Sequence, residues 1–370
     1  MKNNETNSLF CGTKVFIIAE LSANHGHDIN LAKKTIKAAK DSGADAIKLQ
    51  TYTADTLTID CDNEYFKLSS GTIWDGRTLY DLYSEAYTPW EWHKELMDYA
   101  KSLGLIFFST PFDHSAVDFL EELNVPIYKV ASFEIMDIPL IEYIASKGKP
   151  MIMSTGVASL SDIEEAVDAC KRLGNHQIVL LKCTSSYPAK IEDANLLTIP
   201  NMKETFGVKV GLSDHTLGIT VPIVAVTLGA RVIEKHFILG QSIGGPDASF
   251  SLEPKEFKQM VDAVRDAEKA LGKLDYSISN KKLASRLLGR SLFAVEDIET
   301  GQTLTEKKLD RLDPGMAYLR STTYQFWEEK LNNTLPKGHH FLGIFWISLL
   351  RIYHQKVGFN DVKENIGSFT

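Results

Sequence analysis

Val15-Phe16-Ile17-Ile18-Ala19-Glu20-Leu21-Ser22-Ala23-Asn24-His25 decides how this chain is read. An unbroken apolar run, as a strand buried on both faces requires, ends in an acidic residue and a polar turn. A doubly wound, dinucleotide-binding sheet would place a glycine-rich turn here, and none is present. Working outward, the same unit recurs: a short β-branched or aromatic run, a polar turn, then a stretch with helical period. The strands read as Val15–Leu21, Ala46–Tyr52, Leu105–Thr110, Ile127–Ser132, Met151–Thr155, Ile178–Thr184, Val208–Asp214 and Val232–Phe237. Helical patterns lie between them, among them Leu31–Asp41, Trp90–Leu103, Ser161–Leu173 and Pro254–Leu271. Ser161 ahead of Glu164 and Glu165 reads as a capping box. Eight such βα units predict a (β/α)₈ TIM barrel.

The 370 residues carry 40 Lys+Arg against 48 Asp+Glu, a formal net charge of −8. That balance argues against a nucleic-acid or anionic-membrane partner, either of which requires a basic face. Cys11, Cys61, Cys170 and Cys183 form no CxxC and no disulfide framework, which fits a reducing cytoplasm. The N-terminus is polar and predicts no secretion signal. The apolar run Phe341–Tyr353 contains Arg351 and falls short of the ~18–20 residues a spanning helix needs. Two stretches break the rhythm. Thr53 to Pro89 far exceeds an ordinary βα loop, and with Tyr65, Trp74, Tyr80, Tyr83 and Tyr87 it reads as an ordered flap. Beyond Leu271 a polar connector leads to the β-like Arg290–Val295, with turn residues Glu299 to Gln302 after it, so a second, small domain begins near residue 285.

A TIM barrel builds its active site where its strands end, and here all eight ends are polar. They supply Glu20, Lys48 with Gln50, Ser109-Thr110, Lys129 with Ser132 and Glu134, Ser154-Thr155-Gly156, Thr184 to Tyr187, Ser213-Asp214-His215, and His236. His215 and His236 end neighbouring strands about 4.8 Å apart, so their imidazoles can converge on one cation. Hydrogen-bonded core histidines would give the same pattern. With so few nitrogen donors, open coordination by Mn²⁺ or Mg²⁺ suits the pair better than a closed Zn²⁺ site. Glu234 shares the inward face of His236 and reads as its hydrogen-bonding partner or a further ligand. Lys48 and Lys129 project from interior strands, where an ammonium needs an anionic partner. Salt bridges to Glu20 or Glu134 would serve, and so would a bound phosphate or carboxylate cradled with Thr110, Ser132, Ser154 and Ser213. Gly244-Gly245-Pro246-Asp247 lets backbone approach a ligand and presents Asp247 beside the histidines. Trp90, Trp92 and Met97 read as core-facing helix residues and Asp162 to Glu165 as a solvated helix start. Cys183, with no histidine beside it in sequence, reads as a buried small hydrophobe.

The motifs Ala19-Glu20-Leu21-Ser22-Ala23-Asn24-His25, Lys48-Leu49-Gln50-Thr51, Ser109-Thr110-Pro111-Phe112 and Lys129-Val130-Ala131-Ser132 resemble the sialic acid synthase family. So do Ser154-Thr155-Gly156, Gly211-Leu212-Ser213-Asp214-His215-Thr216 and Glu234-Lys235-His236-Phe237. The resemblance runs from about residue 14 to 312. Trp74-Asp75-Gly76, Tyr80-Asp81-Leu82-Tyr83, Glu85-Ala86-Tyr87-Thr88-Pro89-Trp90 and Ile243-Gly244-Gly245-Pro246-Asp247 look most like the branch that uses an L-configured diacetamido trideoxy sugar. Branches making legionaminic or N-acetylneuraminic acid stay open, and Ser185, an asparagine in neuraminate-making relatives, weakens the last. So do an unrelated metal-dependent aldolase or hydrolase and a silent phosphate- or sugar-binding relative.

The resemblance implies condensation of phosphoenolpyruvate with an N-acylated amino-sugar aldehyde and water, releasing phosphate. It implies that Lys48, Thr110, Lys129, Ser132, Ser154 and Ser213 hold phosphoenolpyruvate and that Gln50, Glu134, Tyr187 and Asp247 face the sugar. His215 and His236 match divalent metal ligands, for Mn²⁺ with Mg²⁺ or Co²⁺ as alternatives, and Glu20, Lys48, His236 and Asp247 make up the catalytic set. It further implies a barrel over 1–272, a linker over 273–288, and an antifreeze-like (SAF) domain over 289–340 that reaches into the partner's site in a domain-swapped homodimer. Two departures stand out. Asp313-Pro314-Gly315-Met316 reverses the charge where the family carries Arg-Pro-Gly, and from Met316 through the unassigned tail 341–370 the resemblance ends.

Overall fold

The computed structural model describes residues 14–286 apart from Ser70 and Thr72, residues 290–312 apart from Leu304 and Glu306, and also Gly12, Thr334 and Lys337. It divides into two units, Met1–Gly272 and Lys273–Thr370. In the first, eight parallel strands close into a barrel in sequence order. They are β1 (Phe16–Glu20), β2 (Ala46–Thr51), β3 (Ile106–Pro111), β4 (Tyr128–Val130), β5 (Met151–Ser154), β6 (Ile178–Cys183), β7 (Lys209–Asp214) and β8 (Val232–His236). The strand β1 closes the ring, with Glu20 opposite Lys48 on one side and His236 on the other.

Alternation along the strands separates two cores. Residues turned outward, such as Ile17, Ile47, Phe107 and Leu212, pack under the helices. Those turned inward begin apolar, with Phe16, Ile18, Ala46, Phe108, Ile127, Ile152, Val179, Leu181 and Val232 filling the barrel. Two residues further along the same faces, the inward positions become Glu20, Lys48, Thr110, Lys129, Ser154, Ser213 and Glu234. Gly211 lets β7 sit close to its neighbours, since a Cβ there would lie 2.4 Å from the Val232 carbonyl oxygen and 2.6 Å from Leu181 Cδ2.

The surrounding helices are α1 (Ile29–Asp41), α2 (Ala54–Leu57), α3 (Leu79–Ala86), α4 (His93–Ser102), α5 (His114–Glu122), α6 (Ile138–Ser146), α7 (Leu160–Arg172), α8 (Thr198–Phe206), α9 (Thr220–Thr227) and α10 (Pro254–Leu271). Side-chain caps start several of them: Asp28 for α1, Asp113 for α5 and Asp137 for α6. The capping box on α7 belongs to Ser159 and Asp162 rather than to Ser161, because the helix begins at Leu160. The stretch Trp90–Leu103 is likewise divided, a 3-10 turn over Trp90–Trp92 leading into α4. There Met97 is buried, Trp92 packs against the core from a partly buried position, and Trp90 stacks on Phe119 at 4.8 Å.

The insertion after β2 holds α2 and α3, and Lys67 bridges to Thr78 within it. Its aromatic residues do not act alike. Tyr83 packs on Tyr52 at 5.7 Å, Tyr87 on His27 at 5.2 Å, and Tyr80 donates to Asp55, whereas Tyr65 is 80% exposed.

In the second unit the stretch read as a polar connector contains a helix, α11 (Asn280–Arg286). The strands β9 (Ser291–Ala294) and β10 (Leu309–Leu312) then pair antiparallel, with Ala294 opposite Leu309. The expected turn is present, the Gln302 N–H donating to the Glu299 carbonyl at 3.1 Å. Asp313 to Met316, the remainder of the antifreeze-like segment apart from Thr334 and Lys337, and the run Phe341–Tyr353 lie outside the described residues. Among the described residues no helix is long and apolar enough to cross a membrane.

Candidate active site

The floor of the barrel mouth is an array of buried charges. Lys48 Nζ lies 2.5 Å from Glu20 Oε2 and 4.0 Å from Glu234 Oε1, and it donates to Thr110 Oγ1 at 3.1 Å. Lys129 Nζ lies 3.9 Å from the same Glu234 oxygen and donates to Ser154 Oγ at 2.7 Å and to its neighbour's carbonyl, Val130 O, at 2.8 Å. Ser213 Oγ donates to Glu234 Oε1 at 3.1 Å. Glu234 therefore partners the two lysines, not an imidazole as its position beside His236 suggested. Glu134 makes no salt bridge to either lysine.

Electrostatics divide the carboxylates. Burial pushes Glu20 up to about 7 against the pull of Lys48. For Glu234, burial raises but Lys129 and Lys48 outweigh it, so its carboxyl is held below the ordinary value. Glu20 Oε1 and Glu234 Oε2 are buried with no hydrogen-bond partner. Buried oxygens left unpaired are costly in an apolar site, and they mark where a ligand's protons or a water would be received. Ser132 lies at the edge of this floor, its Oγ accepting from the Gly156 N–H at 3.1 Å. Gly156 is required by close approach: a Cβ there would fall 2.2 Å from Ser185 Oγ and 2.8 Å from Ser132 Oγ.

Above the floor stand the two imidazoles, ring centroids 5.2 Å apart and both buried. His215 Nδ1 faces the Thr184 carbonyl at 3.0 Å, which assigns the proton to Nδ1 and leaves Nε2 as an acceptor. His236 Nδ1 is buried with no hydrogen-bond partner, 3.7 Å from Asp247 Oδ2. Burial, followed by the positive charge of its neighbours, takes His236 well below 6.5 and keeps its ring neutral. Cys183, which has no histidine near it in sequence, has one in the fold. Its Sγ lies 3.8 Å from His215 Nδ1, and although burial pushes the thiol up, His215 draws it down to about 7. Among the described residues no group of three or more His, Cys, Asp or Glu side chains is arranged to hold a metal ion. Burial lowers His215, but Cys183 and the Thr184 carbonyl outweigh it and raise its pKa, so His215 would give up a proton on binding a metal. With that, two imidazoles fit a divalent cation that completes its coordination with water or substrate oxygens.

The upper wall mixes aromatic rings with carboxyls. Tyr187 lies 4.4 Å from the His215 ring and 5.1 Å from Phe250, and Phe250 lies 4.9 Å from His236. Trp74 comes from the insertion, 5.5 Å from Tyr187, and its Nε1–H donates to the Pro246 carbonyl at 3.0 Å. Asp247 accepts from the Ala23 N–H at 3.4 Å, and burial raises its carboxyl. Glu134 follows β4, pushed by burial to about 7, its Oε2 without a partner. Gln50 lies opposite Thr110 across β2 and β3.

All the anticipated site residues thus belong to one mouth of the barrel. The lysine-pairing role of Glu234, the packing of Trp74 and Phe250, and the Cys183–His215 contact were not anticipated. Only the alternation of β8 and the aromatic content of the insertion hinted at them.

Residues 35–276 match the NeuB family model. The chain is 50% identical over 301 residues to a pseudaminic acid synthase of Helicobacter pylori, covering 81% of this chain and 88% of that protein. To a pseudaminic acid synthase of Campylobacter jejuni it is 49% identical over 328 residues, 89% of this chain and 94% of the relative. The solved N-acetylneuraminic acid synthetase of Leptospira borgpetersenii superposes with a TM-score of 0.66 at 35% identity, covering 74% of this chain and 91% of that one. With the barrel, the charged floor and these matches in agreement, the chain belongs to the NeuB family of sialic acid synthases.

Proposed function

We propose that this site condenses phosphoenolpyruvate with 2,4-diacetamido-2,4,6-trideoxy-L-altrose and water to give pseudaminic acid and phosphate. The observation that carries the reading is the pair of buried lysines, Lys48 and Lys129, ringed by Thr110, Ser154 and Ser213 beside Glu20 and Glu234, each of which has an unpartnered carboxylate oxygen. Ammonium and hydroxyl donors in a dry cavity suit a small ligand that carries both carboxylate and phosphate. Ser132, with the Gly156 N–H behind it, extends that cradle.

Gln50, Glu134, Tyr187 and Asp247 receive the sugar, with Trp74 and Phe250 giving its methyl and acetamido groups an apolar wall. Bound on the lysines, the enolpyruvate presents C3 to the aldehyde carbon. A divalent cation held by His215 and His236, Mn²⁺ with Mg²⁺ or Co²⁺ as alternatives, would supply Lewis acidity at the aldehyde oxygen. Glu20, poised near neutrality, accepts a proton at Oε1 from the water that adds at C2 and returns it to the departing phosphate as the C–O bond breaks. The proton left on the C2 hydroxyl departs as that oxygen becomes the ketone, and it ends on the oxygen of the former aldehyde. Lys48, paired with Glu20 in the free site, then neutralises the charge that develops on that phosphate.

The same reading makes the protein a cytoplasmic homodimer whose C-terminal domain reaches into its partner's site. Its support is a set of exposed apolar residues that follow the ends of β4 to β7: Phe133, Met136, Leu160, Leu197 and Leu217. The deciding assay is phosphate release from phosphoenolpyruvate with the L-configured sugar, with and without Mn²⁺, beside the legionaminic and N-acetylneuraminic precursor sugars. Mn²⁺-dependent release with the L-configured sugar is the expected result. Preference for another sugar overturns the substrate, and no consumption of phosphoenolpyruvate with any sugar overturns the reaction.

A further inference from the structure

Asp214 and Lys235 stand beside the two imidazoles yet take no part in the proposed reaction. Lys235 is 0% exposed and Asp214 3%. They are directly opposite each other across β7 and β8, one residue beyond the inward pair Ser213 and Glu234 and one residue before His215 and His236. Alternation turns them to the outer face of the sheet, in line with Leu212 and Ile233 of the outer core.

There Lys235 Nζ donates to Asp214 Oδ2 at 2.5 Å and to the Thr216 carbonyl. Asp214 Oδ1 accepts from the Thr216 N–H at 3.0 Å and from its Oγ1–H at 2.8 Å. The residues on either side of His215 are thus tied to a single ammonium on the strand that carries His236. His215 needs such a tie because it lies past the end of β7, where the ladder with β8 has stopped. Its other bonds lead toward β6, through Nδ1–H to the Thr184 carbonyl and from the Ala189 N–H to its own carbonyl. A buried ion pair is a weak source of stability compared with apolar packing, and its best-attested use is to specify one geometry.

We infer that Lys235 and Asp214 are positioning residues that set the His215 imidazole against His236 so that the two can share one divalent cation. The inference rests on the cation reading above. Asp214 and Lys235 act on His215 through the backbone beside it, with no bond to its ring. Loss of groups that orient a metal's ligands from outside lowers metal affinity about 10–100-fold.

The test is Mn²⁺ titration of the full-length protein, followed by electron paramagnetic resonance of the free ion. Parallel titrations follow phosphoenolpyruvate binding to the metal-free protein, and thermal melts report the fold. Lys235→Met keeps the chain length without the charge. The double variant Asp214→Asn with Lys235→Met leaves no unpaired buried charge, so it decides the matter if the single variant is poorly folded. The expected outcome is a loss of Mn²⁺ affinity of about 10–100-fold with phosphoenolpyruvate binding unchanged. A folded double variant that binds Mn²⁺ like the wild type overturns the positioning role while leaving the cation reading intact. A wild-type protein that binds no Mn²⁺, like a His236→Ala control, removes the cation reading and this inference with it.

Discussion

Glu20 carries the clearest consequence at the scale of single residues. Its carboxyl is raised from 4.5 to about 7, chiefly by burial, so the folded protein holds a proton that the unfolded chain has already released. The sign follows: between about pH 4.5 and 7 this group makes the folded state less stable as pH rises, and the loss is complete above 7. Ligand binding follows the same proton. Neutral Glu20 leaves Lys48 and Lys129 opposed by Glu234 alone, which favours an anion. Phosphoenolpyruvate affinity is therefore expected to fall as pH rises through about 7, and Glu20→Gln is expected to remove that step. Calorimetric titration across neutral pH checks this, and a step that persists in the variant assigns it elsewhere. Glu134 titrates in the same window, also through burial, but is proposed to face the sugar. Glu134→Gln should leave the phosphoenolpyruvate step in place and change the KM for the sugar. Gly156 makes a steric point at the same scale. A methyl group there would fall 2.8 Å from Ser132 Oγ and 2.2 Å from Ser185 Oγ. Both clashing atoms are serine hydroxyls, so the strain is relieved by turning those side chains rather than by moving backbone. Gly156→Ala is expected to turn the Ser132 hydroxyl away and weaken phosphoenolpyruvate binding about tenfold, the loss of one hydrogen bond to a charged ligand; unaltered affinity would show that the Ser132 hydroxyl is not needed.

Among the elements, the insertion after β2 behaves as part of the site. Trp74 reaches the Pro246 carbonyl and the Tyr187 and Phe250 rings, joining the insertion to the loop after β8 that carries Asp247. Trp74→Ala is expected to raise the KM for the sugar by about tenfold or more, leaving the KM for phosphoenolpyruvate near wild type because the lysine floor is untouched. Equal effects on both substrates would instead mean that the insertion supports the whole mouth. The helices contribute in a more ordinary way. Side chains such as Asp28 and Asp113 cap the helices that follow β1 and β3, each cap worth about 1 kcal/mol. They help hold the loops from which the site is built.

At the scale of the whole molecule, the barrel places its charge unevenly. The chain is acidic overall, at −8, yet it gathers Lys48 and Lys129 at the one mouth where a multiply charged anion is proposed to sit. The apolar side chains beyond β4 to β7 bear on the proposed dimer. Leu197 is 77% exposed and Leu217 55%, a cost that a second copy would relieve. Leu197→Asp combined with Leu217→Asp is expected to lower the molar mass seen by light scattering without lowering the melting temperature of the barrel. An unchanged mass would mean that these side chains form no dimer contact.

What the sequence by itself determined was periodic. A strand buried on both faces must be apolar, a strand end facing a cavity need not be, and that contrast is written into Phe16 to Glu20 as plainly as into Val232 to His236. Strand order, the polar mouth and its anticipated residues were therefore legible, and so was the family, through motifs that sit at those ends. Three-dimensional closure decided the rest. That β8 lies beside β1 brings Glu20 opposite His236, and the interior of the ring brings Glu234 within reach of both lysines. Cys183 meets His215 only because β6 and β7 are neighbours with that register. Protonation was beyond the sequence for the same reason. Glu20 and Glu234 are the same kind of side chain, and burial balanced against the lysines each one faces drives the first toward neutrality and keeps the second charged.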